Sequence, residues 1–238
     1  MQRVLVVGGS EEYVGAVYLA AISALRAGAE SVVVMTPERV AWALNALSPD
    51  LMTKKLKGKF LSTTHLSIIK KQAKTADILL LGNGAGVRPA TQRLMRELAR
   101  LPLPKVIDAD GVKALRGSDL RNAILTPNAG EWKLLQKNAD IKKIVARGNV
   151  ILQKGPSTKI WTSNVHISLK VNKGLAKAGT GDVLAGLCAG FLAAGLAPLA
   201  AAKKACAVSN AAADVLTKRK RGYYFLASDV AVEIKKMR

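Results

Sequence analysis

The sequence predicts an α/β protein with an open, mostly parallel sheet and helices on both faces. Three observations predict it. Short Val/Ile/Leu runs alternate with stretches of helical periodicity through the first two thirds of the chain. Glycine, asparagine or aspartate follows one apolar run after another, where an α/β sheet turns into its next helix. From residue 180 onward the chain is nearly all Ala-rich helical sequence. Strands that alternate with helices pair in parallel and place the crossover helices on the sheet faces.

Residues 3–7 (RVLVV) read as a buried strand, and residues 14–27 as an apolar helix closed by Gly28. Residues 31–35 (SVVVM) form the next strand, followed by a helix over 37–47 with Pro37 in its first turn. Residues 76–81 (ADILLL) end in the glycine loop Gly82-Asn83-Gly84-Ala85-Gly86. A helix follows over 89–100, where Leu94, Leu98 and Leu101 recur at helical spacing. Further strands are expected at 104–108, 123–126 and 149–154, with a hairpin of 160–162 and 165–169 around Ser163-Asn164. The apolar stretch 183–202 is broken by Gly186, Gly190, Gly195 and Pro198, so it reads as two tightly packed core helices and not as a membrane span of about 20 residues. No composition break or internal repeat divides the chain, and one domain over residues 1–238 is expected.

Half of the 238 residues are hydrophobic, which excludes a disordered or low-complexity chain. Two cysteines, Cys188 and Cys206, exclude a disulfide scaffold, and two histidines, His65 and His166, exclude a multi-histidine metal site. The apolar run at residues 1–7 meets Gly8-Gly9 at once, which does not fit a secretory signal, and a cytoplasmic protein is expected. Lys and Arg number 37 against 16 Asp and Glu, a formal net charge of +21, which raises the question of a polyanionic partner. Basic runs occur at residues 54–59, 142–147, 218–221 and 235–238, but only the third is followed by aromatics, Tyr223-Tyr224-Phe225. The reading preferred here is Lys/Arg on solvated faces, with neither nucleic acid nor membrane as partner. A homo-oligomer is expected.

Candidate chemistry sits in the turns after strands, because ligands of open α/β sheets bind beyond the strands' carboxyl ends. Gly8-Gly9-Ser10 is followed by Tyr13-Val14-Gly15-Ala16 opening a helix, and the 82–86 loop holds three glycines in five residues. Asp108-Ala109-Asp110 ends a strand in paired carboxylates that suit a hydroxyl, a water or Mg²⁺, although Asp110 is equally explained as a helix N-cap. Asn128 and Glu131 lie three apart across a helix start, which is also the spacing of a capping box. Lys154-Gly155-Pro156-Ser157-Thr158 offers a strand-end lysine and hydroxyls to phosphates. The sharpest signal is Lys173-Gly174-Leu175-Ala176-Lys177-Ala178-Gly179-Thr180-Gly181-Asp182. Its Gly-Thr-Gly can aim successive N–H groups at an anion, backed by the dipole of the following helix. Asp182 then stands beside a transferring phosphoryl group, where a base for an attacking hydroxyl belongs; the plain alternative is a first-turn Asp favoured by the dipole.

AGTGD after KG-x-x-T, together with N-x-x-E, resembles the ribokinase superfamily, three-layer α/β/α sandwiches that transfer phosphoryl groups to hydroxyls. The ordered set VLVVGGSEEYVGAVYLAAISALRAGA, LLLGNGAGVRP, VIDADGVKAL, ILTPNAGEWKLL, VILQKGPSTKIWT and LAKAGTGDVLAGLCAGFLAAGL is more particular. Across essentially the whole chain it resembles the NAD(P)H-hydrate dehydratase family, the YjeF carboxy-terminal type.

That resemblance implies a repair reaction in which the hydrates of NADH and NADPH are phosphorylated by ADP or ATP and then lose phosphate. By the same resemblance, Lys154, Gly155, Pro156, Ser157 and Thr158, with the segment from Lys173 to Gly181, would hold the nucleotide. Gly179, Thr180 and Gly181 match the anion hole, and Asp182 the carboxylate facing the substrate hydroxyl. Asn128, Ala129, Gly130, Glu131, Trp132, Lys133 and Leu134 match the segment that contacts the hydrate, with Glu131 near an Mg²⁺ water network. Ala16, Gly84 and Gly86 match further substrate contacts. Two positions depart from the family: its glycine loop usually reads G-P-G-L-G where this chain has Asn83 and Ala85, and many bacterial members have His in place of Asn128. Two other functions remain to be separated from the first, a ribokinase-like kinase of vitamin-precursor type and a nucleic-acid-binding protein on this scaffold.

Overall fold

A computed structural model describes residues 2–117 and 119–234; the basic run at 235–238 lies outside them. Nine strands form one sheet in the order β3-β2-β1-β4-β5-β6-β7-β8-β9. The strands β1 (Arg3–Val7), β2 (Ser31–Pro37), β3 (Met52–Leu56), β4 (Ile78–Leu81), β5 (Lys105–Ile107), β6 (Ala123–Leu125) and β7 (Val150–Gln153) are parallel. The hairpin β8 (Ser157–Trp161) and β9 (His166–Lys170) closes one edge in antiparallel fashion. The expected strands and their mostly parallel pairing are therefore present, and so is the hairpin.

Alternation along the central strands divides the core. Val4 and Val6 of β1 point into one cluster, and Leu5 and Val7 into the other. The first cluster is covered by α1 (Val14–Ala27), α2 (Glu38–Leu47), α8 (Thr180–Ala193), α9 (Pro198–Arg219) and α10 (Ala227–Glu233). The second is covered by α3 (Leu66–Ala73), α4 (Pro89–Ala99), α5 (Asp110–Ala114), α6 (Ala129–Asn138) and α7 (Ile141–Ala146). Both faces of the sheet are buried, which is why its central strands read as continuous apolar runs.

The small residues of α8 have a direct use. A Cβ at Gly186 would lie 2.2 Å from the Ala20 carbonyl oxygen, and one at Gly190 would lie 2.4 Å from the Ala27 Cβ. Glycine at these positions brings α8 against the backbone of α1, which seats the helix that opens at Gly-Thr-Gly-Asp. No helix among the described residues is long and apolar enough to cross a membrane. Cys188 and Cys206 are both buried free thiols, which agrees with the absence of a disulfide framework.

Three local expectations need correction. Pro37 ends β2 and caps α2 from outside, so α2 begins at Glu38. The N-cap of α5 is Ala109, in a left-handed conformation with φ of 48°, and Asp110 lies inside the first turn. β3 and α3 are additional elements; the turn between them is closed by His65, whose Nδ1 accepts from the Ser62 N–H at 3.1 Å.

Lys105 on β5 is 1% exposed, with its ammonium donating to the Arg121 carbonyl at 2.8 Å. Burial pushes its pKa down to about 8 from an ordinary 10.5. Between those values the unfolded chain keeps a proton that the folded chain has released, so stability should rise as pH climbs from about 8 to about 10.5. Lys105→Met should abolish that rise and increase the melting temperature near neutral pH. Thermal melts of both proteins across this window check it.

Candidate active site

The carboxyl ends of β1, β4, β5, β6 and β7 share one edge of the sheet, and the start of α8 faces them. Three segments that the sequence singled out separately therefore meet: the 82–86 loop after β4, Asp108 after β5, and Lys154 after β7.

Asp108 is the hub and is 1% exposed. Its Oδ1 accepts from the Lys154 ammonium at 2.6 Å and from the Thr126 hydroxyl at 2.7 Å. Its Oδ2 accepts from the Asn83 amide at 2.9 Å. The same Asn83 nitrogen donates to Asp182 Oδ1 at 2.7 Å and so ties the β4 loop to the first turn of α8. A buried carboxylate is tolerated only when paired and hydrogen-bonded, and Asp108 is both.

Burial, reinforced by the charge of Asp108, pushes the Asp182 carboxyl up to about 7; the Asn83 hydrogen bond and Lys154 pull the other way. Burial works against the charge of Lys154, but Asp108, Glu131 and Asp182 outweigh it and raise the ammonium's pKa. A proton acceptor with a pKa near neutrality thus stands beside a fixed cation.

Asn128 and Glu131 form the reciprocal capping box that their spacing suggested. Asn128 Oδ1 accepts from the Glu131 N–H, and Glu131 Oε2 from the Asn128 N–H, both at 2.9 Å. Glu131 is 4% exposed, and burial raises its carboxyl pKa. Its Oε1 lies 4.0 Å from the Lys113 ammonium, which donates at 2.8 Å to Asp110. Asp110 in turn accepts from the Gly86 N–H at 2.8 Å, holding the end of the glycine loop.

Gly179 is the N-cap of α8, with φ of 86°. A Cβ there would meet Leu19 Cδ1 at 2.7 Å and Ala227 Cβ at 2.9 Å, so conformation and space both require glycine. The Gly181 and Asp182 N–H groups belong to the first turn of α8 and have no acceptor within the helix. A Cβ at Gly181 would lie 3.0 Å from the Lys154 ammonium, which places that cation directly against the helix start.

Several other residues of the expected nucleotide segment also make contacts within the fold. The Thr180 hydroxyl turns back to the Leu175 and Lys177 carbonyls. The Lys177 ammonium donates to the Tyr223 and Phe225 carbonyls, and a Cβ at Gly174 would strike the Phe225 ring at 2.2 Å. Lys173, Ala176 and Ala178 are exposed, and Leu175 is half-buried. The turn after Lys154 leaves Gly155 and Pro156 exposed and delivers Ser157 and Thr158 into β8. Trp132 stacks on Trp161 at 5.4 Å, Leu134 is half-buried, and Lys133, Ala129 and Gly130 are exposed on the first turns of α6. Ala16 and Gly84 abut, since a Cβ on Gly84 would lie 3.1 Å from that of Ala16. The bridging role of Asn83 was not legible from its position in a glycine loop, and Lys113 carried no signal at all.

Among the described residues no group of three or more His, Cys, Asp or Glu is arranged to hold a metal ion. The oxygens of Asp108 are taken by protein donors, whereas Glu131 Oε1 retains accepting capacity. Such a donor set fits an Mg²⁺ carried on phosphates and reached through its own waters, not one enclosed by protein.

The family profile described as NAD(P)H-hydrate dehydratase matches residues 4–236. The chain belongs to the NAD(P)H-hydrate dehydratase family. The bifunctional NAD(P)H-hydrate repair enzyme Nnr of Pyrobaculum aerophilum is 38% identical over 244 residues, covering 96% of this chain and 48% of that enzyme. The chain spans about half the length of the curated relatives it matches. Among solved structures, the hypothetical protein SMU.573 from Streptococcus mutans superposes with a TM-score of 0.85 at 25% identity, over 99% of this chain and 89% of that one. The ADP/ATP-dependent NAD(P)H-hydrate dehydratase from Bacillus subtilis, co-crystallised with ATP and Mg²⁺, gives 0.78 at 24% identity, over 99% of this chain and 89% of that one. The dehydratase-family domain thus has the ribokinase-like three-layer sandwich that its motifs implied, with Asn83 built into the acidic cluster.

Proposed function

We propose that this domain restores NADH and NADPH from their hydrates, with ADP or ATP as phosphoryl donor. The observation that carries the reading is the placement of Asp182: a carboxylate with its pKa near 7, in the first turn of α8, directly after an anion-receptive glycine run and beside Lys154.

The ring hydroxyl oxygen attacks the terminal phosphorus of the nucleotide, the bond from that phosphorus to the leaving nucleotide breaks, and Asp182 takes the hydroxyl proton. The unpaired N–H groups at the start of α8 and the Lys154 ammonium stabilise charge on the phosphoryl group in flight. Mg²⁺, when bound to the phosphates, supplies further neutralisation, and Glu131 would contact it through water. The ring nitrogen's lone pair then expels phosphate, and loss of a proton from the adjacent carbon restores the dihydronicotinamide. Phosphorylation matters because hydroxide is a poor leaving group and phosphate a good one.

Incubation with the hydrate, Mg²⁺ and ADP or ATP should raise absorbance at the reduced-nicotinamide band, with free phosphate formed in equal amount. Accumulation of a phosphorylated product would point instead to a ribokinase-like kinase. No recovery with either nucleotide would reject the proposal.

Lys154→Met should weaken ADP or ATP binding by about 10–100-fold, the loss of one charge-assisted phosphate contact, and affect hydrate binding less. Calorimetry with each ligand checks it. Equal weakening of both would show that the buried Asp108, left without its cation, disturbs the whole site.

A further inference from the structure

We propose that Asn83 is a positioning residue, whose side-chain amide bridges Asp108 and Asp182 and fixes the Asp182 carboxylate at the mouth of the α8 anion hole. The inference rests on the role given to Asp182 above.

The amide nitrogen has two hydrogens and two carboxylate partners, Asp108 Oδ2 at 2.9 Å and Asp182 Oδ1 at 2.7 Å. Turning the amide over would set its oxygen against both carboxylates, so the chemistry permits one orientation. Asn83 is fully buried, and its Oδ1 has no hydrogen-bond partner. A buried acceptor left unpaired is destabilising; here that cost accompanies the placement of both donors.

The loop cannot readily turn the amide away. Gly82 and Gly84 flank it with φ of 104° and 62°, and a Cβ at Gly82 would overlap the Gly111 nitrogen at 2.2 Å. The Asn83 carbonyl accepts from the Gly9 N–H at 2.8 Å, which locks the loop to the β1 turn. A residue at this position without a side-chain N–H donor could not make the bridge, so the bridge depends on the Asn83 amide itself.

Four groups face Asp182: Asp108 from the end of β5, Glu131 from α6, Lys154 from the end of β7, and Asn83 from the β4 loop. The two carboxylates disfavour its ionised form, whereas Lys154 and Asn83 favour it. Without the amide, Asp108 and Asp182 would face one another with no donor between them.

The test uses two variants, Asn83→Leu, which keeps the branched shape with bulkier methyl groups and no polar atom, and Asn83→Asp, which keeps shape and size and removes the two-hydrogen donor. Melting curves establish that each is folded. The ¹³C carboxyl resonance of Asp182, assigned by its loss in Asp182→Asn, is titrated in the nucleotide-free protein. The pH dependence of kcat/KM is measured beside it. Both the titration midpoint and the acid limb should move upward by about one unit or more in each folded variant. An unmoved midpoint in either folded variant would overturn the bridge, and a moved midpoint with an unmoved acid limb would overturn the positioning role. Absence of turnover in the wild-type protein would remove the dehydratase reading and the positioning role with it, while the carboxyl titration would still decide whether the bridge exists.

Discussion

Asp182→Asn should lower turnover by about 10²–10⁴-fold, the usual contribution of a general base, while making the protein more stable above neutral pH. The two effects share one cause. In the folded protein the carboxyl titrates near 7, against 3.8 ordinarily, because it is buried beside Asp108. Between those values the folded state holds a proton that the unfolded state has lost, so stability falls as pH rises from about 4 to about 7. Above about 7 the folded state carries the full cost of a crowded carboxylate. Asparagine removes that charge and can still accept from the Asn83 amide. Its gain should be about 1–3 kcal/mol, the three-unit shift discounted for partial exposure. Denaturation above neutral pH, where the gain should be complete, and near pH 4, where it should vanish, together with steady-state turnover, checks both halves. A protein that kept full activity and melted slightly lower would reduce Asp182 to a helix-terminal charge worth about 0.3–1 kcal/mol.

Gly181→Val should fold and yet lose nucleotide-dependent turnover by about 10²–10³-fold or more, the scale of losing one preorganised donor to a developing charge. A β-carbon in the first turn of α8 meets no backbone, since its nearest neighbour is the Lys154 ammonium at 3.0 Å, the far end of a flexible side chain held there by Asp108. Relief of that contact would push the ammonium out of its ion pair with Asp108. The branched side chain would also occupy the space through which an anion reaches the Gly181 and Asp182 N–H groups. Calorimetry should show nucleotide affinity falling further than hydrate affinity. Unchanged turnover in the folded variant would count against an anion site at this helix start.

The legible and illegible parts of this fold divide along physical lines. Strands buried on both faces, such as β1 from Val4 onward and β4, are written as unbroken Val, Leu and Ile, and α1 ends at Gly28 as its glycine signal requires. β3 escaped because an edge strand carries charge: Lys54 and Lys55 face solvent, and MTKKL shows no apolar run. α3 escaped because it is short and begins from a turn closed by His65, a residue that looked unassigned.

In the site, backbone requirements were readable and side-chain pairings were not. Glycines at 179, 84 and 86, each with positive φ, and the Asn128–Glu131 box announce themselves through spacing. That Lys154 meets Asp108, 46 residues away, follows from β5, β6 and β7 lying side by side, an order that local sequence does not state. Asn83 looked like a departure from a glycine-loop pattern, and its meaning depends on two carboxylates brought to it by other strands and helices. Lys177 and Trp132 likewise have contacts that their motifs do not announce, with backbone carbonyls and with the Trp161 ring.

The chemical order of the reaction can be read from one isotope. If the ring hydroxyl attacks phosphorus before the ring is restored, the carbon–oxygen bond breaks and that oxygen leaves with phosphate. Hydrate prepared in ¹⁸O-water carries the label on its ring hydroxyl. Turned over in unlabelled water with ADP or ATP and Mg²⁺, it should release one ¹⁸O in each phosphate for every NADH or NADPH recovered. Unlabelled phosphate, with the ¹⁸O found in water, would mean that the ring loses hydroxide directly and that the nucleotide is merely hydrolysed, which would contradict the mechanism built on Asp182 and the α8 anion hole.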